Sequence, residues 1–400
     1  MKLSTGVAVA ALVTACRPSA GGPPLAASVG IPQAPAPALG FDSTRLASVV
    51  DYLLTEVDSG AFPGAVIAVG RHGRLALLAP VGHYGVDDPR PVDAGTIYDL
   101  ASLTKVVGLT TVCMLLVDEG KLALDAPVVR YVPEFRGPMK DRVTIRHLLT
   151  HSAGLVADLP LYDSTRTRAA ALAAVDTSTL LAPPGTSYRY SDLSAIVLMQ
   201  AVERQAGEPL DRLLADRLFR PLGMPATRFL PPDAWRDRIA PTEHDTLFRH
   251  RWLRGEVHDE SAARLGGVSG NAGLFSNALD LSRLAATLLN GGAWDSLQLI
   301  RAETVTEFTT RQNIPPGSTR ALGWDTPSDS GYSSAGAELS RRSFGHTGFT
   351  GTSMWMDPDR DLFIILLTNR VNPTRANTAI LRVRARVADL VADALIHPEL

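Results

Sequence analysis

The sequence predicts an α+β fold, an antiparallel sheet flanked by helices and interrupted by a large helical insert. Three observations point there. Strand patterns lie near both ends of the folded region, at 64–79 and at 343–368. Helical periodicity fills the stretch from Ser102 to about Leu289. An amphipathic helix precedes the first strands and another follows the last. Two separated strand groups with no internal repeat form one sheet if the chain leaves it and returns. The sheet part is therefore drawn at 41–95 and 300–400 and the insert at 96–299.

The chain has 400 residues, a net charge of −2 and 45% hydrophobic residues, which suits a folded enzyme. No basic field points to nucleic acid. Residues 1–15 read as an export signal: Lys2 is followed by the apolar run Gly6–Val13, too short to span a bilayer. Val13-Thr14-Ala15-Cys16 resembles the bacterial lipoprotein box, which implies lipidation of Cys16 and a membrane-tethered protein in the bacterial cell envelope. Residues 16–40, rich in Pro, Ala, Gly and Ser, read as a disordered tether. Only Cys113 is left for the folded part, so no disulfide framework is expected.

The first helix follows Phe41-Asp42-Ser43 with Leu46, Val49, Val50, Leu53, Leu54 and Val57 on its apolar stripe. Gly64–Gly70 and Leu75–Ala79 flank the turn Arg71-His72-Gly73-Arg74 as a hairpin. In Ser102-Leu103-Thr104-Lys105 a serine opens a helix apolar on nearly every face as far as Asp118-Glu119-Gly120, and Lys105 stands one turn on. Unpaired N–H groups at such a helix start favour developing negative charge. Desolvation at the mouth of an apolar helix is expected to lower the lysine pKa until a neutral amine can take the Ser102 proton. Lysine is scarce here, occurring only as Lys2, Lys105, Lys121 and Lys140, whereas a solvated face of this Arg-rich chain would carry Arg.

Tyr188-Arg189-Tyr190-Ser191-Asp192 lies between a Pro-Gly loop and a helix beginning near Leu193, so Tyr190 could carry a proton beside the serine and lysine. Gly345-His346-Thr347-Gly348 falls on a late strand, where Gly348 permits close backbone approach and the N–H of Phe349 can face an oxyanion. A last amphipathic helix, Thr374 to Ala394, is expected to pack on the sheet.

In the order S-x-x-K, Y-x-[ND], [KH]-T-G, these three stretches resemble the serine β-lactamase and penicillin-binding superfamily, nearest to class C β-lactamases and the related esterases and D-alanyl-D-alanine carboxypeptidases. Gly120–Pro127, Thr144–Leu155 and Gly348–Ser353 are similar to that family too. The resemblance runs from about Phe41 to the C-terminus and implies a β-lactamase/transpeptidase-like fold. It also implies Ser102 as acylated nucleophile, Lys105 as its proton partner, and Tyr190 as general base and activator of water. His346 and Thr347 would line the strand side, with an oxyanion hole from the N–H groups of Ser102 and Phe349. Asp192 stands where these lactamases usually have Asn; a carboxylate cannot donate to a substrate carbonyl and would pair with Lys105. His346 replaces the usual Lys, weakening a fixed cation at neutral pH, and Arg341 or Arg342 is the expected substitute.

His147 and His151 have zinc-protease spacing but lack the glutamate between them, and read as structural. His258-Asp259 reads as a loop at the site rim, and Gly266–Gly273 as a mobile loop or helix start, without the Lys-Ser/Thr of a phosphate loop. No G-x-S-x-G elbow occurs. The expectation is a serine hydrolase needing no metal or cofactor and acting on a small ester or a D-alanyl amide. A β-lactamase is the enzymatic alternative and a penicillin-recognising sensor the non-enzymatic one. Sequence leaves the oligomeric state open.

Overall fold

The computed structural model describes residues 30–396, so the export signal and Cys16 lie outside the described residues. Six antiparallel strands form the central sheet: β1 (Gly64–Arg71), β2 (Arg74–Gly85), β3 (Asp88–Pro91), β4 (Phe344–Thr347), β5 (Ser353–Asp357) and β6 (Leu362–Thr368), in the order β4-β5-β6-β1-β2-β3. β1 joins the two ends of the chain, pairing Ala65 with Thr368 and Arg71 with Leu362. The β1–β2 turn has positive φ at both His72 (52°) and Gly73 (65°), the twist a two-residue hairpin needs.

Both faces of the sheet are covered, so β1 and β6 are buried along their whole length. On one face Ala65, Ile67 and Val69 pack with α1 (Ser43–Asp58) and α5 (Ile380–Asp393). Asp42 caps α1, accepting from the N–H groups of Thr44 and Arg45. On the other face Val66, Ala68, Phe363, Ile365 and Leu367 join the larger core built around α2 (Thr111–Asp118), α3 (Asp192–Ala206) and α4 (Ala278–Leu289). Within the stretch between the two strand groups, a three-stranded sheet pairs Leu274–Ser276 with both Tyr98–Asp99 and Arg228–Phe229. It holds the chain just before Ser102.

The described part of the expected tether, residues 30–40, is packed on the domain. Residues 30–40 run along β2: Ala34 N–H donates to Leu75 O, Leu75 N–H donates to Pro32 O, and Ile31 and Leu39 are buried. Two aliphatic side chains anchor a stretch whose Pro/Ala composition looked disordered. The last helix begins at Ile380 rather than Thr374, because Arg375 and Asn377 are engaged by other partners. The apolar segment Ala101–Asp118 is long enough to cross a membrane, but 83% of it is buried inside this domain.

Candidate active site

Ser102 is reached through a strained turn. Leu100 N–H donates to Leu274 O, and the next residue, Ala101, has φ +47°, a left-handed conformation that costs an alanine on the order of 1 kcal/mol. The Asp99 carboxylate holds it, accepting the Ala101 N–H at 2.8 Å. The expected regular helix does not form at this point. Ala101–Leu103 form a 3₁₀ turn, Lys105–Thr110 a π-helical segment, and only Thr111–Asp118 is α-helical. Thr111 Oγ1 donates to Val106 O five residues back, and Thr104 Oγ1 accepts the Leu274 N–H, so side chains intrude on the helical ladder. Ser102 stays partly exposed while Lys105 is buried to 3% exposure.

Lys105 Nζ donates to Ser102 Oγ at 3.0 Å and to Asn271 O at 2.9 Å, and lies 2.6 Å from Asp192 Oδ1. Asp192 therefore pairs with the lysine as its charge demands. The pairing overturns the expected drop in the lysine pKa. Burial does push the ammonium down, but the Asp192 carboxylate and the Tyr190 hydroxyl outweigh it and hold Lys105 above its ordinary value. Lys105 is thus a cation that donates to Ser102, not a free amine. Asp158 and Asp259 stand in the same field: burial first, then the charge of Asp192, raises both, Asp259 to about 6.

The Tyr190 ring lies 5.0 Å from Lys105 Nζ, between the imidazoles of His151 (4.6 Å) and His346 (5.9 Å). Burial drives both histidines well below their usual pKa, so both are neutral, and nearby Arg320 and Lys105 add to the effect. His346 Nδ1 donates to Thr347 O at 2.8 Å, which fixes the tautomer and makes buried Nε2 an acceptor. No cation stands at position 346. Nor do Arg341 or Arg342 supply one, since they pair at the surface with Asp329 and Asp359. A further buried cation near this cluster is Arg320, paired with Asp325 at 3.3 Å and facing the Tyr188 ring at 5.9 Å. Sequence reading missed it; the apolar run Ala321-Leu322-Gly323-Trp324 beside a lone Arg was the one signal for it.

The strand side closes onto the serine turn. Thr350 Oγ1 donates to Asp99 O and Thr352 Oγ1 to Leu100 O, clamping the Gly348–Thr352 turn to the chain before Ser102. A Cβ at Gly348 would meet Leu100 O at 2.3 Å, so the close backbone approach expected at this glycine is present. Arg384 of α5 donates to Gly348 O and Thr352 O from beneath. Phe349, 48% exposed, has its ring in contact with the His258 imidazole and the Arg370 guanidinium. The turn thus sits against the chain that leads into Ser102.

Two other sequence readings change. Gly266–Gly273 is an ordered, largely buried segment: Asn271 is fully buried, its carbonyl accepts from Lys105 and its Nδ2 donates to Asp259. His151 belongs to the site through Tyr190, while His147 is structural, completing a capping box with Thr144. Among the described residues no group of three or more His, Cys, Asp or Glu could hold a metal ion.

Comparison with known proteins shows the family. The Beta-lactamase family model matches residues 49–389. A protein of Escherichia coli K12, named as a proposed D-alanyl-D-alanine carboxypeptidase, is 33% identical over 366 residues, covering 83% of each chain. One of the same name from Salmonella agona is 31% identical, covering 85% of this chain and 86% of its own. Among solved structures, EstCE1, a hydrolase with promiscuous acyltransferase activity, superposes with a TM-score of 0.69 at 25% identity, covering 87% of this chain and 99% of that one. A penicillin-binding protein homologue from Caulobacter crescentus gives a TM-score of 0.73 at 23% identity over 89% and 99%, a likeness of fold.

Proposed function

The chain belongs to the Beta-lactamase family of serine hydrolases, and from that premise we propose that it forms an acyl-enzyme on Ser102 with a small ester or a D-alanyl amide. The observation that carries this reading is the Lys105 ammonium, bonded at once to Ser102 Oγ, Asn271 O and Asp192. A lysine held protonated cannot be the base, so that role falls to Tyr190. Ser102 Oγ attacks the carbonyl carbon, Tyr190 takes its proton in the phenolate form beside the Lys105 ammonium, and the N–H groups of Ser102 and Phe349 receive the oxyanion, each worth about 3 kcal/mol. Collapse breaks the C–O or C–N bond, and Tyr190 returns the proton to the departing alcohol or amine. Water, giving its proton to Tyr190, then attacks the acyl carbon; the bond to Ser102 Oγ breaks, Tyr190 passes the proton to Ser102 Oγ, and the acid is released. His346, Thr347 and Gly348 form the strand wall against which the substrate lies. With His346 neutral and Asp192 engaged by Lys105, the site lacks the donors expected of an efficient β-lactamase, which supports the ester or peptide reading.

Intact-protein mass spectrometry of the full chain with a fluorescent penicillin and a short-chain p-nitrophenyl ester tests this. Expected are ester turnover and a slowly cleared penicillin adduct on Ser102. Rapid penicillin turnover would replace the reading by a β-lactamase, and no adduct with either probe would remove it. We also propose export to the cell envelope and lipid attachment at Cys16, supported by the Val13–Cys16 motif. Labelled palmitate should enter the native chain and not Cys16→Ser; equal labelling of both would refute it.

A further inference from the structure

Asp99 lies outside the three motifs, yet its fully buried carboxylate touches both sides of the site. Oδ1 accepts the Ala101 N–H at 2.8 Å, holding the positive-φ residue that presents Ser102. Oδ2 accepts the His258 N–H at 2.6 Å. The His258 ring, in turn, stacks on Phe349 with centroids 5.6 Å apart and planes 26° from parallel. Its Nε2 is bonded to Glu243 at 2.8 Å, and Glu243 is fixed by the Arg375 side chain and N–H. The Arg370 guanidinium lies over the Phe349 ring at 4.3 Å, and its Nε donates to Phe349 O at 2.8 Å. A half-exposed aromatic held by an imidazole, a guanidinium and a bond at its carbonyl has little freedom to swing, and one carboxylate ties that hold to the serine turn.

We propose that Asp99 and His258 are positioning residues that set the spacing of the Ser102 and Phe349 N–H groups, so that both point at one oxyanion. The proposal rests on the acyl-enzyme reading above. Asp99 acts through the Ala101 amide, and His258 acts through the Phe349 ring. Neither touches the substrate. Two donors must meet an oxygen that exists only along the reaction, so misplacing one weakens the transition state more than the bound ground state.

The test uses full-length Asp99→Asn, His258→Ala and His258→Phe, assayed on p-nitrophenyl acetate and titrated with phenylboronic acid, which forms a reversible tetrahedral adduct on a serine. In Asp99→Asn the amide group faces one of the two N–H donors and loses that bond. His258→Phe keeps the backbone N–H and the stacking ring. Asp99→Asn and His258→Ala should lower kcat about 10- to 100-fold. Boronate affinity should fall by the same factor with KM within about threefold, and His258→Phe should recover most of the His258→Ala loss. Wild-type kcat and boronate affinity in folded variants would overturn the proposal. So would a loss shared by KM and thermal midpoint that phenylalanine does not rescue. If Asp99→Asn fails to fold, the His258 pair decides alone. Ser102→Ala in the same assay separates the two layers. Surviving turnover there would bring down the acyl-enzyme reading itself, whereas a dead Ser102→Ala beside unaffected positioning variants would bring down only this proposal.

Discussion

On one face of the sheet, Leu46, Val49 and Leu53 of α1 meet Val383, Val387 and Val391 of α5 in a cluster of aliphatic side chains. On the other face, the core around α2 closes over Lys105, Asp99, His151 and His346, all nearly inaccessible to water. The first face is stabilised by area removed from water, a non-directional term that tolerates change of similar volume. The second buries charge, which is tolerable only while every partner is in place: Asp192 and Asn271 for Lys105, two N–H groups for Asp99, Asp325 for Arg320. Strain collects there as well, at Ala101 and at His151 (φ +54°). One face should therefore answer mutation with lost stability and the other with lost chemistry.

The largest effect should come from Lys105→Ala. It removes the cation between Ser102 and Asp192 and leaves a carboxylate unpaired, and acylation by a p-nitrophenyl ester should slow by about 10³-fold. A loss under about tenfold in stopped-flow acylation would mean that the buried polar network is structural only. Gly348→Ala comes next. Its Cβ would lie 2.2 Å from Thr352 Oγ1 and 2.3 Å from Leu100 O, so the backbone must shift and carry Phe349 with it. A fall in kcat of about 100-fold is expected. An unchanged kcat would break the link between that contact and the site. Leu53→Ala on the apolar face should cost about 2–5 kcal/mol in urea unfolding while the folded fraction keeps wild-type kcat. A changed kcat would show that the two faces are not separable.

The same division decides what was legible in the sequence. α1, the β1–β2 hairpin and β6 were readable because their periodicity and turn residues answer to local rules. Ser102, Lys105, Tyr190 and His346 were readable as motifs, and the Asp192–Lys105 pair followed from charge alone. The direction of the lysine pKa did not, because it sets burial against a carboxylate 87 positions away in the chain, and only distance decides which wins. Arg320 and the roles of His258 and Asp99 escaped for a related reason: each acts through partners far off in sequence, such as Asp99 Oδ2 on the His258 N–H. The 3₁₀ and π geometry after Ala101 was hidden too, since the apolar run reads as an ordinary helix until Thr104 and Thr111 find their backbone partners.

The smallest effect is also the most specific to the polar face. Burial and the neighbouring Asp192 charge raise Asp259 to about 6, although its Oδ1 accepts the Ala262 N–H and the Asn271 amide. A carboxyl whose folded pKa lies above its unfolded value near 3.8 binds its proton more tightly when folded. Its ionised form therefore costs stability above about pH 6, and the cost is relieved as pH falls through 6 toward 4. Asp259→Asn keeps a good capping side chain and an uncharged one, so it carries no such dependence. Against this variant the wild type should be less stable at pH 7.5, by about 1–2 °C in thermal midpoint, and the gap should shrink to about half by pH 5 and nearly close by about pH 4. Taking the difference between the two proteins cancels the titration of carboxyls they share. A gap of constant size from pH 5 to 7.5 would mean that neither burial nor the Asp192 charge raises Asp259 in the folded protein.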